Sequence, residues 1–188
     1  AREGLGVIVA LGVAGTIKAD KARLRGELRR LRSERGLEVG SPASRQAAKA
    51  VADAALQLPE VYEARSVAVY AARGRELDPS DLVARLSDDT KVSYPRVAQL
   101  SPPTLTFHVV PMSALVVAGF DLLEPPATAS LAPPIEVFVV PGLGFDRCGR
   151  RLGHGKGFYD AALRRAPLAV RVGIGYDFQL VSEIPVEE

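Results

Sequence analysis

Residues 141–160 read PGLGFDRCGRRLGHGKGFYD and directly follow the apolar run Val137-Phe138-Val139-Val140. The run has the length and β-branched content of a buried strand, and residues 158–165 read as a helix. Between them lie six of the chain's seventeen glycines, Gly142, Gly144, Gly149, Gly153, Gly155 and Gly157. The same stretch carries five potential cations: Arg147, Arg150, Arg151, His154 and Lys156. Glycine lets the backbone approach an anion closely, a helix start offers unpaired N–H groups, and cations neutralise charge. A strand, a glycine-rich cationic loop and a helix in that order therefore predict a phosphate-binding turn. The alternative, a flexible surface loop with scattered solvated charge, leaves that coincidence unexplained.

Two common nucleotide motifs do not fit. A Walker A loop needs a glycine five residues before its Gly-Lys pair and a hydroxyl after it. Around Gly155-Lys156 those positions hold Arg150 and Gly157. The dinucleotide pattern G-x-G-x-x-G also fails, since its sixth position falls on Phe158 or Asp160.

Upstream, Asp20 is placed to cap a helix over residues 21–35, with Leu24, Leu28 and Leu31 on one stripe. Lys21, Arg25 and Arg32 lie within about 40° of each other beside that stripe. Ser41-Pro42 marks a second helix start, with Ala47, Val51, Ala54, Ala55 and Leu58 as its apolar face. Strands are predicted at residues 66–71, 91–94 (stopped by Pro95), 105–110, 136–140 and 169–176, and a further helix at 81–86. Residues 111–117 are ambiguous, and the proline-rich residues 123–134 read as a loop. Strands alternating with helices predict an α/β protein, a three-layer α/β/α sandwich with a largely parallel sheet. Ligands bind such sheets beyond the carboxyl ends of the strands, where the glycine-rich loop falls.

A chain of 188 residues suits one substantial domain. A net charge of +2 gives no argument for a nucleic-acid partner. The basic residues cluster instead at 21–35 and 147–156. The single cysteine, Cys148, excludes an intrachain disulfide and a cysteine-based zinc site and fits a reducing, cytoplasmic compartment. With no nucleophile motif around it, Cys148 reads as incidental. Residues 4–15 are apolar and glycine-rich but too few to span a bilayer. Residues 1–19 are expected to be a disordered or incidental extension, and 20–188 a single domain without membrane attachment.

The stretch at 141–160 resembles the signature of the 5-formyltetrahydrofolate cyclo-ligase family: Pro-Gly-x-x-Phe-Asp, then Gly-x-Arg-Leu-Gly-x-Gly-x-Gly, two aromatics and Asp. Features in order around it resemble the same family. These are KARLRGELRRLR in the first helix, Glu76 after the first strand, Tyr94-Pro95-Arg96, Leu123-Glu124-Pro125, Gln179 and Ile184-Pro185. Position 154 is His where the family commonly has Tyr or Arg. The resemblance covers residues 20–188. Family members usually continue past the Ile-Pro segment with a His-Asp pair and a final strand or two. This sequence ends at Glu188, so the domain is expected to lack that end and its Asp near magnesium.

The resemblance implies a fold like that of the NagB/RpiA/CoA-transferase group and a reaction with two substrates. 5-Formyltetrahydrofolate and MgATP would become 5,10-methenyltetrahydrofolate, ADP and phosphate through a phosphorylated formyl group. It implies that Lys21, Arg25, Arg151, Gly153, His154, Gly155, Lys156, Gly157, Phe158 and Tyr159 bind ATP, with Lys156 and Arg151 catalytic. Glu76 and Tyr159 would bind folate, and Asp160 would ligate Mg2+. A monomer or weak dimer is expected. Two rivals remain: a sugar-phosphate isomerase or CoA-transferase-like enzyme using Glu76 or Asp146 as base, and a noncatalytic folate- or RNA-binding relative.

Overall fold

A computed structural model of the chain describes residues 17–35, 37–119 and 122–186. The reading of residues 1–16 as part of an extension lies outside them. Helix α1 spans Ile17–Glu34, so Asp20 does not cap it but lies in its first turn, where a carboxylate still favours the helix dipole. Its leucine stripe is as expected: Leu28 is buried against Leu143, Leu152 and Ile184, with Leu24 and Leu31 packed alongside.

Helix α2 (Pro42–Ala55) starts at the predicted cap, the Ser41 hydroxyl accepting from the Ser44 N–H at 3.2 Å. Its buried face is Ser44, Ala48, Ala52 and Ala55, whereas Ala54 and Leu58 are exposed. The helix ends at Ala55, so Leu58 no longer follows the helical period; it caps the next helix instead. There follow α3 (Pro59–Tyr62), β1 (Ser66–Ala68), α4 (Ser80–Val83), β2 (Lys91–Gln99), β3 (Thr104–Val109), β4 (Val116–Val117) and β5 (Leu123–Glu124). The remainder is β6 (Val137–Val140), β7 (Gly144–Asp146), β8 (Arg151–Leu152), α5 (Phe158–Arg165), β9 (Val170–Gly173) and β10 (Leu180–Val181).

The central sheet has the order β3-β2-β1-β6-β9, all parallel except β3. Alternate side chains of β6 enter two cores. Val137 and Val139 join Val67, Val69, Ala52, Ala55 and Leu82, while Phe138 and Val140 join Ala68, Phe107 and Leu163 of α5. Helices thus cover both faces of a mostly parallel sheet, the expected mixed α/β architecture. Burial on both faces explains why β6 reads as a continuous apolar run.

Several elements differ from expectation: β1 ends at Ala68 and α4 at Val83, both short of the predicted 71 and 86, and β5 falls in residues predicted as loop. β2 does not stop at Pro95 but runs on to Gln99. Lys91 N–H donates to Arg65 and the Ser93 carbonyl accepts from Val69, so odd-numbered residues of β2 face β1. Pro95 faces the same side past the end of β1, where its missing N–H breaks no bond. β9 is shorter than predicted, ending at Gly173; beyond it the chain turns so that the Tyr176 hydroxyl donates to Ser44 Oγ at 3.2 Å. The glycine-rich segment is not a plain loop. It contains the β7–β8 hairpin, joined by β10 into a three-stranded sheet.

Candidate active site

A cavity of about 510 Å³ opens beyond the carboxyl ends of β1 and β6. That volume is ordinary for a small-molecule site. One side is the run Gly153-His154-Gly155-Lys156-Gly157 with the first turn of α5, namely Phe158, Tyr159 and Asp160. Gly157 caps α5 with φ 73° and Gly155 has φ 98°, conformations that residues with a Cβ rarely adopt. These turns bring the chain from β8 to the N-terminus of α5, so its first N–H groups border the cavity. The resulting dipole end, with Arg151 and Lys156, makes this side receptive to phosphate.

Arg151 is the best-determined cation of the site. Its side chain is 13% exposed. It donates to the Pro141 carbonyl at 3.1 Å, pairs with Asp160 Oδ1 at 2.5 Å, and lies 5.5 Å from the centre of the Tyr159 ring. The Tyr159 hydroxyl is buried without a hydrogen-bond partner. Burial, then the charge of Glu76, pushes its pKa up, with Arg151 opposing. A buried hydroxyl left unsatisfied at a cavity wall is a place for a ligand acceptor.

Glu76 lies on the opposite side, in the turn after β1. Its carboxylate accepts from the Arg73 N–H at 3.2 Å and meets His154 Nε2 at 3.5 Å. Its charge also raises the pKa of Tyr70, after the larger effect of burial. The remaining wall is apolar, formed by Pro95, Val97, Leu105, Leu122 and Leu123. Glu124 closes it: this buried carboxylate accepts from the Val97 N–H at 3.3 Å, on the edge of β2 that β1 no longer covers.

The site residues expected from the sequence fall into two groups. Glu76, Arg151, Gly153, His154, Gly155, Lys156, Gly157, Phe158, Tyr159 and Asp160 line the one cavity. Lys21 and Arg25 do not. Lys21 is half-buried on α1, and Arg25 Nε donates to the Gly153 carbonyl at 3.0 Å, bracing the loop from behind. Two of the five cations first counted also point elsewhere. Arg147 is exposed at the hairpin tip, and Arg150 pairs with Glu183 at 3.1 Å and Asp146 at 3.7 Å.

Asp146 is poorly placed for the base role the rival reading gives it. It is buried, and its two oxygens accept from the N–H groups of Cys148, Arg150 and Ile184 at 2.9, 2.9 and 3.0 Å. Burial alone would raise its pKa; the three backbone donors and Arg150 outweigh that and hold it below the ordinary 3.8.

Sequence reasoning did not assign Arg29, Arg32, Tyr70 or Glu124 to the site. Arg32 is buried, and its Nη2 donates to the Gly142 carbonyl at 2.8 Å. Desolvation lowers its pKa and the charge of Glu76 opposes that. Its place beside the leucine stripe was the available signal. The Gly142 carbonyl is shared with Gln179, whose Nε2 donates to it at 2.8 Å and to the Leu143 carbonyl at 3.1 Å.

Among the described residues no three or more His, Cys, Asp or Glu side chains gather into a metal site, and no helix is long and apolar enough to cross a membrane. Magnesium commonly takes one or two carboxylates together with phosphate oxygens and water. The carboxylate at the start of α5 is Asp160, 56% exposed and paired with Arg151.

Comparison with known proteins gives a consistent answer. The chain is 35% identical over 137 residues to the 5-formyltetrahydrofolate cyclo-ligase of Escherichia coli K12, covering 69% of this chain and 75% of that protein. It is 34% identical over 106 residues to the mitochondrial 5-formyltetrahydrofolate cyclo-ligase of Arabidopsis thaliana, covering 48% of this chain and 38% of that longer protein. The solved structure of 5,10-methenyltetrahydrofolate synthetase from Aquifex aeolicus superposes with a TM-score of 0.73 at 27% identity, covering 89% of this chain and 84% of that one. The profile of the 5-formyltetrahydrofolate cyclo-ligase family matches residues 17–188, so the chain belongs to that family.

Proposed function

We propose that this chain performs the reaction of its family, the ATP-dependent cyclisation of 5-formyltetrahydrofolate to 5,10-methenyltetrahydrofolate with release of ADP and phosphate. The observation that carries the reading is one cavity with a phosphate-receptive helix start on one side and a carboxylate, Glu76, with apolar surface on the other. A formamide oxygen is a poor leaving group. In the proposed sequence it attacks the γ-phosphorus of ATP and the bond to ADP breaks. N10 of the folate then attacks the formyl carbon, loses its proton, and the C–O bond breaks to release phosphate. The protein's task is to align the two substrates and neutralise phosphoryl charge; no covalent nucleophile is required.

Lys156, Arg151 and the α5 N–H groups hold the transferring phosphoryl group in this scheme. Arg25 holds the loop through Gly153, and Lys21 contributes at the nucleotide's periphery. Asp160 would hold magnesium, which when bound neutralises phosphate oxygens. Arg151 now pairs with Asp160 and would exchange that partner for phosphate. Glu76 accepts hydrogen bonds from the amino-pyrimidine edge of the pterin, and the Tyr159 hydroxyl donates to the folate. The apolar wall at Leu105 and Leu123 takes the flat rings. We assign the architecture to the NagB/RpiA/CoA-transferase-like group, supported by the mostly parallel sheet covered on both faces, and place the reaction in the cytoplasm, in keeping with one exposed free cysteine.

The test is to mix protein, MgATP and 5-formyltetrahydrofolate and follow methenyl-folate absorbance. Formation of the product that requires ATP is expected. Its absence from folded protein, or its formation without ATP, sinks the proposal.

A further inference from the structure

His154 stands in the middle of the glycine run, and its side chain reaches away from the phosphate side. Its Nε2 lies 3.5 Å from Glu76 Oε1, with the imidazole 49% and the carboxylate 14% exposed. Both neighbours of His154 are constrained. The Gly153 carbonyl is taken by Arg25, and Gly155 is in the left-handed region next to the Arg25 guanidinium. Glu76 Oε2 accepts from the Arg73 N–H of its own turn, and Oε1 is the oxygen that meets His154. On the same cavity stand Arg151 from β8, Lys156 from the loop, Arg29 and Arg32 from α1, Tyr70 and Arg73 after β1, Glu124 from β5, and Tyr159 and Asp160 from α5. Most of this surrounding charge is positive, and Glu76 is the carboxylate the imidazole meets.

We propose that His154 positions Glu76 from across the cavity and thereby couples occupancy of the nucleotide loop to folate binding. This rests on the folate reading of Glu76 given above. Phosphate in the loop orders residues 153–157, which holds the imidazole against Glu76 and presets the carboxylate for the pterin. By linkage, folate tightens nucleotide to the same degree. A partly exposed ion pair supports a coupling of about fivefold.

The experiment is calorimetric titration of 5-formyltetrahydrofolate into the full chain, with and without saturating MgADP. Parent protein should bind folate about fivefold tighter with nucleotide. His154→Ala should bind folate equally with and without nucleotide. His154→Arg, which keeps a donor for Glu76, should restore the coupling. Parent-like coupling in His154→Ala overturns the inference. Glu76→Gln separates the two claims. If it binds folate like the parent, the folate reading of Glu76 fails. If it binds folate weakly while His154→Ala keeps full coupling, only the positioning role fails.

Discussion

The glycine-rich segment has two halves that use the same residue type for opposite purposes. In the first half the buried Gly142 and Gly144 make room. A Cβ on Gly142 would lie 2.6 Å from the Phe145 ring, and one on Gly144 2.7 Å from Leu28 Cδ1. That part is pinned by Arg32, Gln179 and Asp146. In the second half Gly155 and Gly157 supply backbone conformation. Both have positive φ, and a Cβ there would meet no atom closer than 3.7 Å. Gly149 at the exposed hairpin tip shares the positive φ, and Gly153 the close packing, a Cβ there lying 2.8 Å from Arg151 Nη1. With the proposed function, the stretch carries two separable properties: stability at Gly142 and Gly144, and activity at Arg151 and in residues 153–160.

The largest expected effect that tests this division is Lys156→Ala. It removes a cation from the proposed phosphoryl site and should lower turnover by about 100-fold or more, a typical loss when one preorganised charge partner is deleted. The melting temperature should stay at the parent value. A matching fall in melting temperature would erase the distinction between the halves.

Next is Gly144→Ala, expected to cost about 1–3 kcal/mol through overpacking against Leu28. A urea midpoint shifted down with unchanged slope is the expected reading. The folded fraction should turn over normally, and a parent-like midpoint would contradict the close-packing argument.

Gly157→Ala should act in reverse. Placing a Cβ at φ 73° costs about 1–2 kcal/mol, relieved locally by moving the start of α5. ATP affinity should fall by about an order of magnitude with little change in the urea midpoint. Unchanged ATP affinity would mean that the α5 N-terminus does not hold phosphate.

The smallest effect is one that disappears in acid. The folded-state pKa of Asp146 is depressed, so the stability it contributes is present above the unfolded value and lost as pH falls through the folded one. The parent should therefore lose stability as pH drops below about 4. Asp146→Asn should be less stable at neutral pH and lack that part of the acid limb. Identical acid limbs would mean that other carboxylates dominate.

The same division explains what could be read in advance. Residues 158–165 were recognisable as a helix because their signals are local: a glycine before, an acidic first turn and arginines at the end. The glycine-run side of the cavity was legible for the same reason, since its residues 153–160 are contiguous. The β7–β8 hairpin was not, because a two-residue strand has no measurable period and Asp146 does its work through backbone donors as distant as Ile184. The continuation of β2 through Pro95 depends on where β1 ends, a tertiary fact. Arg32 and Glu124 were not assigned to the site, although one lay beside the leucine stripe and the other in a family-like turn, because nothing local distinguishes a buried charge from a solvated one. Their partners lie 110 and 27 residues away.

The shared carbonyl of Gly142 has a consequence for how the protein is made. It is gripped by Arg32 and by Gln179, from opposite ends of the chain. A polypeptide leaving the ribosome can form α1 and the early strands while translation continues. The end of β6 cannot acquire both of its holders until residue 179 has emerged. The glycine run that follows is thus shaped only after residue 179 has emerged, and shorter nascent chains carry the cations of that run without its geometry.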